Sequence, residues 1–248
     1  STWLNGRPLP ADLARSLDRP VAIANDADCF ALSEAVDGAG AGAGSVFGAI
    51  LGTGVGGGVV VEGRLLRGAN GIAGEWGHLP LPALDRAVPA PLRERAQRMP
   101  PRHCWCGRRN CIETWLSGPG LAATRAEFAG GDAEAAQEDF AAAAAAGDEG
   151  ARAALDLHAW QLAAALALVI NVLDPEVVVL GGGLSKLPSL YNDVPARWIG
   201  GVFAERVRTR LAPPRHGDAS GVRGAARLRH ESAAPAGRVP VDDGLPRH

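Results

Sequence analysis

Lysine is nearly missing from this chain. Of its 25 basic residues all are arginine except Lys186, and that lysine lies in "LSKLP" rather than behind a glycine-rich turn, which excludes a Walker-type phosphate loop. Neither sign of charge dominates: the formal net charge is −2, and the arginines are interspersed with acids. A basic stripe able to follow a phosphate backbone is therefore missing, and nucleic acid is not an expected partner. Long apolar runs are missing too. "LAAALALVI" (162–170) is cut short by Asn171 and Asp174-Pro175, far below the ~20 residues that span a bilayer, so no membrane segment is expected. The opening residues carry no basic and apolar leader pattern. Four cysteines in 248 residues are too few for a disulfide scaffold, and a reducing cytoplasm is the expected setting. What is present, 47% hydrophobic residues, is enough to bury a core in one large domain or two smaller ones.

Periodicity gives an outline of the chain. Residues 21–24 of "PVAIANDADCF" read as a short strand. Asn25 and Asp26 then offer capping chemistry for a helix that ends at Gly38. "GAGAGAGS" (38–45) has little side chain to pack and reads as a flexible connector. "SVFGAIL" and "VVVEGRLLRG" read as strands on either side of the glycines of "GTGVGGG", with Glu62-Gly63 as a second turn of a meander. Six prolines between Pro80 and Pro101 predict an irregular surface segment. Residues 117–173 read as helix, broken at Gly130-Gly131 and Gly147. Pro175 ends that helix before a buried strand over 176–180. A last helix is expected over 221–228, and the Pro-, Gly- and charge-rich residues from Glu231 onward read as disordered.

Four stretches could carry chemistry. Cys104, Cys106 and Cys111 in "CWCGRRNCIE" have the spacing C-x-C-x4-C. A disulfide between the first two is sterically poor and the C-x-x-C redox spacing is absent. Thiolates in so tight a loop can converge on one tetrahedral ion, and zinc is favoured over unliganded thiols, with His78 or His103 as the fourth ligand. "GTGVGGG" (52–58) contains a literal G-x-G-x-x-G, but a strand rather than a helix follows, which argues against a dinucleotide-binding turn; such a loop can still bring backbone amides close to phosphate oxygens. Asp26, at a strand-to-helix junction, is either a general base or a helix cap. Glu75, His78 and Glu113 would share one neighbourhood if a metal drew His78 to the cysteine loop, and acids gathered near an aromatic suit a polyhydroxyl ligand.

Together, "NDADCFALSEA", "ILGTGVGGG", "GEWGHLPL", "CWCGRRNCIE", "LSGPGL" and "DPEVVVLGGGLS" resemble, in order and separation, the ROK family of bacterial sugar kinases and repressors. The similarity covers about residues 3–229. The family's zinc signature C-x-C-G-x-x-G-C-x-E is matched except at Asn110, and Asn tolerates the left-handed turn that the glycine serves. The resemblance implies an α/β, actin-like ATPase (ribonuclease H-like) fold: an incomplete first lobe over 1–37, a second lobe over 38–220 with its zinc loop at 104–113, a C-terminal helix over 221–230 returning to the first lobe, and a tail over 231–248. It implies a structural Zn2+ on His78, Cys104, Cys106 and Cys111, with Asp26 as catalytic base. Asn25, Asp26, Glu75, His78 and Glu113 would bind sugar. Gly52, Thr53, Gly54, Gly56, Gly57, Gly181, Gly182 and Gly183 would approach ATP, accompanied by Mg2+.

The implied reaction is transfer of the ATP γ-phosphoryl group to a hexose primary hydroxyl. "NDADCFALSEA" and "RHGDASGVRGAA" are most similar to N-acetylglucosamine kinases, then to fructokinases and glucokinases. A homodimer is the family's common assembly. The family's D-x-G-G-T segment does not precede Ser1, so the residues given are expected to phosphorylate sugar poorly on their own. The alternatives to a kinase are a sugar-responsive repressor of the same family and a non-catalytic sugar-binding protein.

Overall fold

The computed structural model describes residues 8–85, 87–129 and 140–228. Its centre is a mixed sheet of β1 (Ser45–Leu51), β2 (Val55–Val61), β3 (Arg64–Leu65), β4 (Val177–Gly181) and β5 (Arg210–Ala212), ordered β3-β2-β1-β4-β5. The expected meander forms β1 to β3. Glu62 and Gly63 turn it with φ of 49° and 71°, the positive values that match the twist of a two-residue hairpin. β4 joins β1 in parallel and β5 joins β4 in parallel. The helices are α1 (Leu9–Leu17), α2 (Asp26–Asp37), α3 (Ala90–Arg98), α4 (Ile112–Leu116), α5 (Gly118–Ala129), α6 (Phe140–Ala145), α7 (Glu149–Leu173), α8 (Leu190–Trp198) and α9 (Ser220–Arg227).

Alternation along the strands divides the core into two. Phe47, Ala49, Leu51, Val178 and Leu180 pack with Leu162, Leu166 and Ile170 of α7. Val46, Val60, Val177 and Val179 pack with Phe30, Ala31 and Ala35 of α2. α7 is 25 residues long, and its most apolar window has a mean hydropathy of 1.6, which by length and composition would cross a membrane; 67% of that window is buried inside the protein. It is the central helix of the larger core.

α2 lies unusually close to the sheet. A Cβ on Gly48 would stand 2.7 Å from the Ala31 Cβ, and one on Gly58 would stand 2.6 Å from the Ala27 carbonyl oxygen. Those two glycines pair across β1 and β2, so a side-chain-free patch receives the helix. The division at residue 37 assigns α2 to a different lobe from the sheet it covers, whereas the helix shares that sheet's core. α9 in turn lies on α2: a Cβ on Gly224 would stand 1.7 Å from the Cys29 carbonyl oxygen.

Several local expectations are corrected. Residues 21–24 form no strand, because among the described residues no strand runs beside them to complete a ladder. Residues 38–44 are a run of turns, not a loose connector: the Gly40 amide donates to Glu34 O (3.0 Å), Ala41 to Gly38 O (3.2 Å) and Ala43 to Gly40 O (3.1 Å). The prolines after Pro80 admit helix α3, since Pro91 sits in its first turn, where the missing N–H costs nothing; Leu92 and Val88 anchor that segment against Leu157. The break at Gly147 is present, with φ of 104°. The expected break at Gly130-Gly131 and the tail over 231–248 lie outside the described residues.

Candidate functional site

The cysteine loop is built by turns that the sequence encodes locally. Gly107 and Asn110 take positive φ, 86° and 55°. Asn110 adds what glycine could not, because its Oδ1 accepts the Arg102 amide at 2.9 Å. Its backbone also accepts the Leu81 amide (2.8 Å), and Ile112 donates to Leu79 O (2.9 Å). These bonds bridge Pro80 to Cys111 and set His78 beside the thiols. On the other side a Cβ on Gly77 would stand 2.1 Å from the Val55 carbonyl oxygen, so the His78 turn presses directly onto β2.

His78, Cys104, Cys106 and Cys111 offer ligand atoms that all lie within 4.8 Å of one another. Cys104 Sγ is 3.5 Å from His78 Nδ1, and Cys106 Sγ is 3.6 Å from Cys111 Sγ. A tetrahedron with zinc's bond lengths has S···N and S···S edges of about 3.6 and 3.8 Å, so the donor set fits that ion. The cysteines are unbridged. Backbone donation from Arg108 lowers the Cys106 thiol, while burial and then the neighbouring Cys106 and Cys104 sulfurs push the Cys111 thiol up to about 12. Such a cluster needs a cation before all of its sulfurs ionise. His103, the other candidate ligand, is exposed and is not among the residues whose ligand atoms converge.

Asn25, Asp26, Glu75, His78 and Glu113 border one open cavity of about 500 Å³, together with Gly52, Thr53, Gly54 and Gly56. The cavity lies at the C-terminal end of β1, where open α/β sheets bind their ligands. Asn25, not Asp26, caps α2: its Oδ1 accepts the Asp28 amide at 2.6 Å. Among the described residues the Asp26 carboxylate accepts from the adjoining Ala27 amide alone (2.9 Å), and it is exposed to the cavity. Glu113 is held at both oxygens, Oε2 by the Val55 amide at 3.0 Å and Oε1 by Trp105 Nε1 at 2.8 Å.

The glycines divide into two groups. Gly52 to Gly54 form the turn between β1 and β2, but Gly56 and Gly57 belong to β2 itself. A Cβ on Gly57 would stand 2.6 Å from Gly74 O and 2.8 Å from the Trp76 ring, and one on Gly181 would stand 2.7 Å from the Phe30 ring. Both are buried, so Gly57 and Gly181 serve packing rather than a phosphate cradle. Gly182 (φ 77°) lies against Leu51 O, and Gly183 faces open space. The second glycine run therefore adjoins Gly52 at the same end of the sheet.

The sequence reading missed two residues. Trp105, and not the core residue Trp76, is the tryptophan of the cavity; its position between two of the clustered cysteines was the available signal. Arg102 donates to Thr114 O (2.9 Å), Gly120 O (2.8 Å) and Thr124 Oγ1 (3.0 Å), and its guanidinium lies 3.8 Å from the Trp115 ring. It ties the cysteine loop to α4 and α5, and burial draws its pKa down to about 10.

Residues 1–232 match the ROK family model. The chain is 42% identical over 225 residues to an N-acetyl-D-glucosamine kinase of Yersinia pseudotuberculosis, covering 90% of this chain and 71% of that protein. It is 40% identical over 223 residues to an N-acetyl-D-glucosamine kinase of Vibrio vulnificus, with the same coverage. Among solved structures it superposes on a ROK hexokinase from Thermus thermophilus (29% identity, TM-score 0.74, 91% of this chain and 71% of that one). It also superposes on a ROK family glucokinase from Streptomyces griseus in complex with glucose and AMPPNP (26% identity, TM-score 0.71, 89% and 72%).

Proposed function

This chain belongs to the ROK family, and on that premise we propose that it is an ATP-dependent sugar kinase that converts N-acetylglucosamine to its 6-phosphate. The observation that carries this reading is the convergence of Asn25, Asp26, Glu75, His78 and Glu113 on one cavity, with Asp26 relieved of helix capping by Asn25. Asp26 accepts the proton of the sugar's primary hydroxyl as that oxygen bonds to the γ-phosphorus and the bond to the ADP oxygen breaks. Glu75 and Glu113 accept hydrogen bonds from ring hydroxyls. Asn25, whose Oδ1 is engaged at the helix start, has its amide N–H groups to donate. Gly52 to Gly54 and Gly182 to Gly183 supply backbone near the nucleotide. Magnesium, bound with ATP, offsets charge on the phosphoryl oxygens.

Zinc is structural in this reading. His78, Cys104, Cys106 and Cys111 would supply four protein ligands and leave no open position for water. With Nδ1 turned toward Cys104, His78 would have Nε2 for a sugar hydroxyl, and the ion would hold that ring in place. Cytoplasmic residence and a homodimer belong to the same proposal; exposed Val172 and Phe203, linked through the hydrogen bonds of Asn171, offer an apolar contact for a second copy.

The test is calorimetric titration with N-acetylglucosamine, glucose and fructose, followed by a coupled assay of ADP release. Preference for N-acetylglucosamine is expected. Preference for glucose would reassign the substrate, and absence of binding by any of the three at millimolar concentration would overturn the reading.

A further inference from the structure

Trp105 is 80% exposed although the adjacent Cys104 is 7% exposed. An indole in such a position loses the stabilisation of burial, yet this ring is held on two sides. Its Nε1 donates to Glu113 Oε1 at 2.8 Å, and its edge meets the His78 ring with centroids 4.9 Å apart at 83°. Both partners are side chains of the proposed sugar site. The ring also borders two cavities. One is the space of about 500 Å³ that contains Asp26; the other, of about 280 Å³, is lined by Thr53, Arg102, His103 and Ser117. Trp105 shares both linings with Thr53 and Glu113, and it lies between Cys104 and Cys106 of the thiol cluster.

We propose that Trp105 determines sugar selectivity as the aromatic wall of the site, and that it positions Glu113. This inference rests on the sugar-kinase reading above. An indole offers a flat apolar surface with a single polar handle. Here the handle is occupied by Glu113, and the remaining surface of the ring borders both cavities. A pyranose carries C–H groups on one face and hydroxyls around its rim, so it can lay that face on the ring while Glu75 and Glu113 accept from the rim. The Trp105 bond and the Val55 amide fix the Glu113 carboxylate from opposite oxygens, and each oxygen keeps a lone pair for substrate. Without the indole N–H, that carboxylate is free to rotate about its last bond. Without the ring, the two cavities merge and the sugar loses its wall.

The experiment compares wild type, Trp105→Ala and Trp105→Phe, with zinc content measured for each by elemental analysis. Trp105→Ala is expected to weaken N-acetylglucosamine binding by about 10- to 100-fold, the effect of losing a contact and a bond to a charged acceptor, and to narrow the preference over glucose. Trp105→Phe restores the wall without the N–H and recovers part of the affinity. If Trp105→Ala loses zinc, the Phe variant decides alone. N-acetylglucosamine is expected to change the tryptophan emission of the wild type more than that of Trp105→Phe, even though calorimetry still detects binding there. An unchanged affinity and preference in zinc-replete variants would overturn the inference while the kinase reading stands. A wild type that binds no hexose would overturn both.

Discussion

Glu34→Gln tests how the helix that carries Asn25 and Asp26 is held in place. Glu34 is 0% exposed. Its Oε2 accepts the Ala39 and Arg215 amides at 2.9 and 3.0 Å, and its Oε1 accepts the His216 amide at 3.2 Å and the Ser220 hydroxyl at 2.7 Å. One carboxylate thus ties α2 to the turns after it and to the segment that leads into α9. Glutamine preserves the shape but presents an N–H2 group to two of these donors. The least costly arrangement puts nitrogen at the Oε1 position and reverses the Ser220 hydroxyl, which leaves the half-buried His216 amide without that partner at about 1–2 kcal/mol. The two bonds kept at the other oxygen change from charged to neutral acceptor, each weaker by about 1 kcal/mol. Relief from burying a charge offsets part of that sum. The expected net loss is about 2–4 kcal/mol, a large fraction of a domain's 5–15 kcal/mol.

Urea denaturation reads this loss as a lower midpoint at unchanged slope. The pH dependence supplies a second check. Burial, which raises the Glu34 pKa, is outweighed by donation from Ala39, Ser220, Arg215 and His216, so the carboxyl lies below its ordinary 4.5. A depressed pKa contributes stability that is full above the unfolded value and is lost as pH falls through the folded one. The gap between wild type and Glu34→Gln should therefore be full above pH ~5 and close toward acid. Asp37 shifts in the same direction, because its hydrogen bond with Arg223 and the Arg223 and Arg227 charges outweigh burial; it is common to both proteins and cancels in the difference. A variant within about 1 kcal/mol of wild type at neutral pH, or a gap that stays constant into acid, would refute the reasoning.

Elemental analysis of chelator-washed protein should find one zinc per chain, and Cys106→Ser should lower both zinc content and sugar affinity; well under one zinc in the wild type would remove the metal from the account. In a protein with measured turnover, Asp26→Asn should reduce kcat by at least about 100-fold and scarcely move Tm, since Asn25 supplies the cap. Retention of activity within a few-fold would deny Asp26 the proton. Gly77→Ala should force the His78 turn away from Val55, costing about 1–3 kcal/mol and lowering zinc content, and a variant with normal zinc and normal melting would show that the turn can yield.

Spacing within a few residues was enough to read the cysteine knot, the Glu62-Gly63 turn and the helix ending at Pro175, because ligand geometry, positive φ and a missing amide hydrogen are local constraints. The left-handed Asn110 was legible on the same ground. Local reading failed where the deciding partner is distant. The glycines of 56–58 suggest a phosphate loop in one dimension; in three, Gly57 and Gly58 make room for Trp76 and for α2. The alanine- and glycine-rich stretch after Gly38 looks loose until the Glu34 carboxylate and the packing around Val46 are in place.

By itself, then, the sequence determined the strand meander and the thiol-rich loop, since each follows from residue type and short spacing. The tertiary structure alone decided that His78 rather than His103 completes the cluster, that Asn25 caps α2 and frees Asp26, and that Trp105 and Glu113 share a hydrogen bond at the cavity wall. Only the sheet, with α2 on one face and the 74–78 turn pressed onto β2, brings residues 25, 75, 105 and 113 to the border of one cavity.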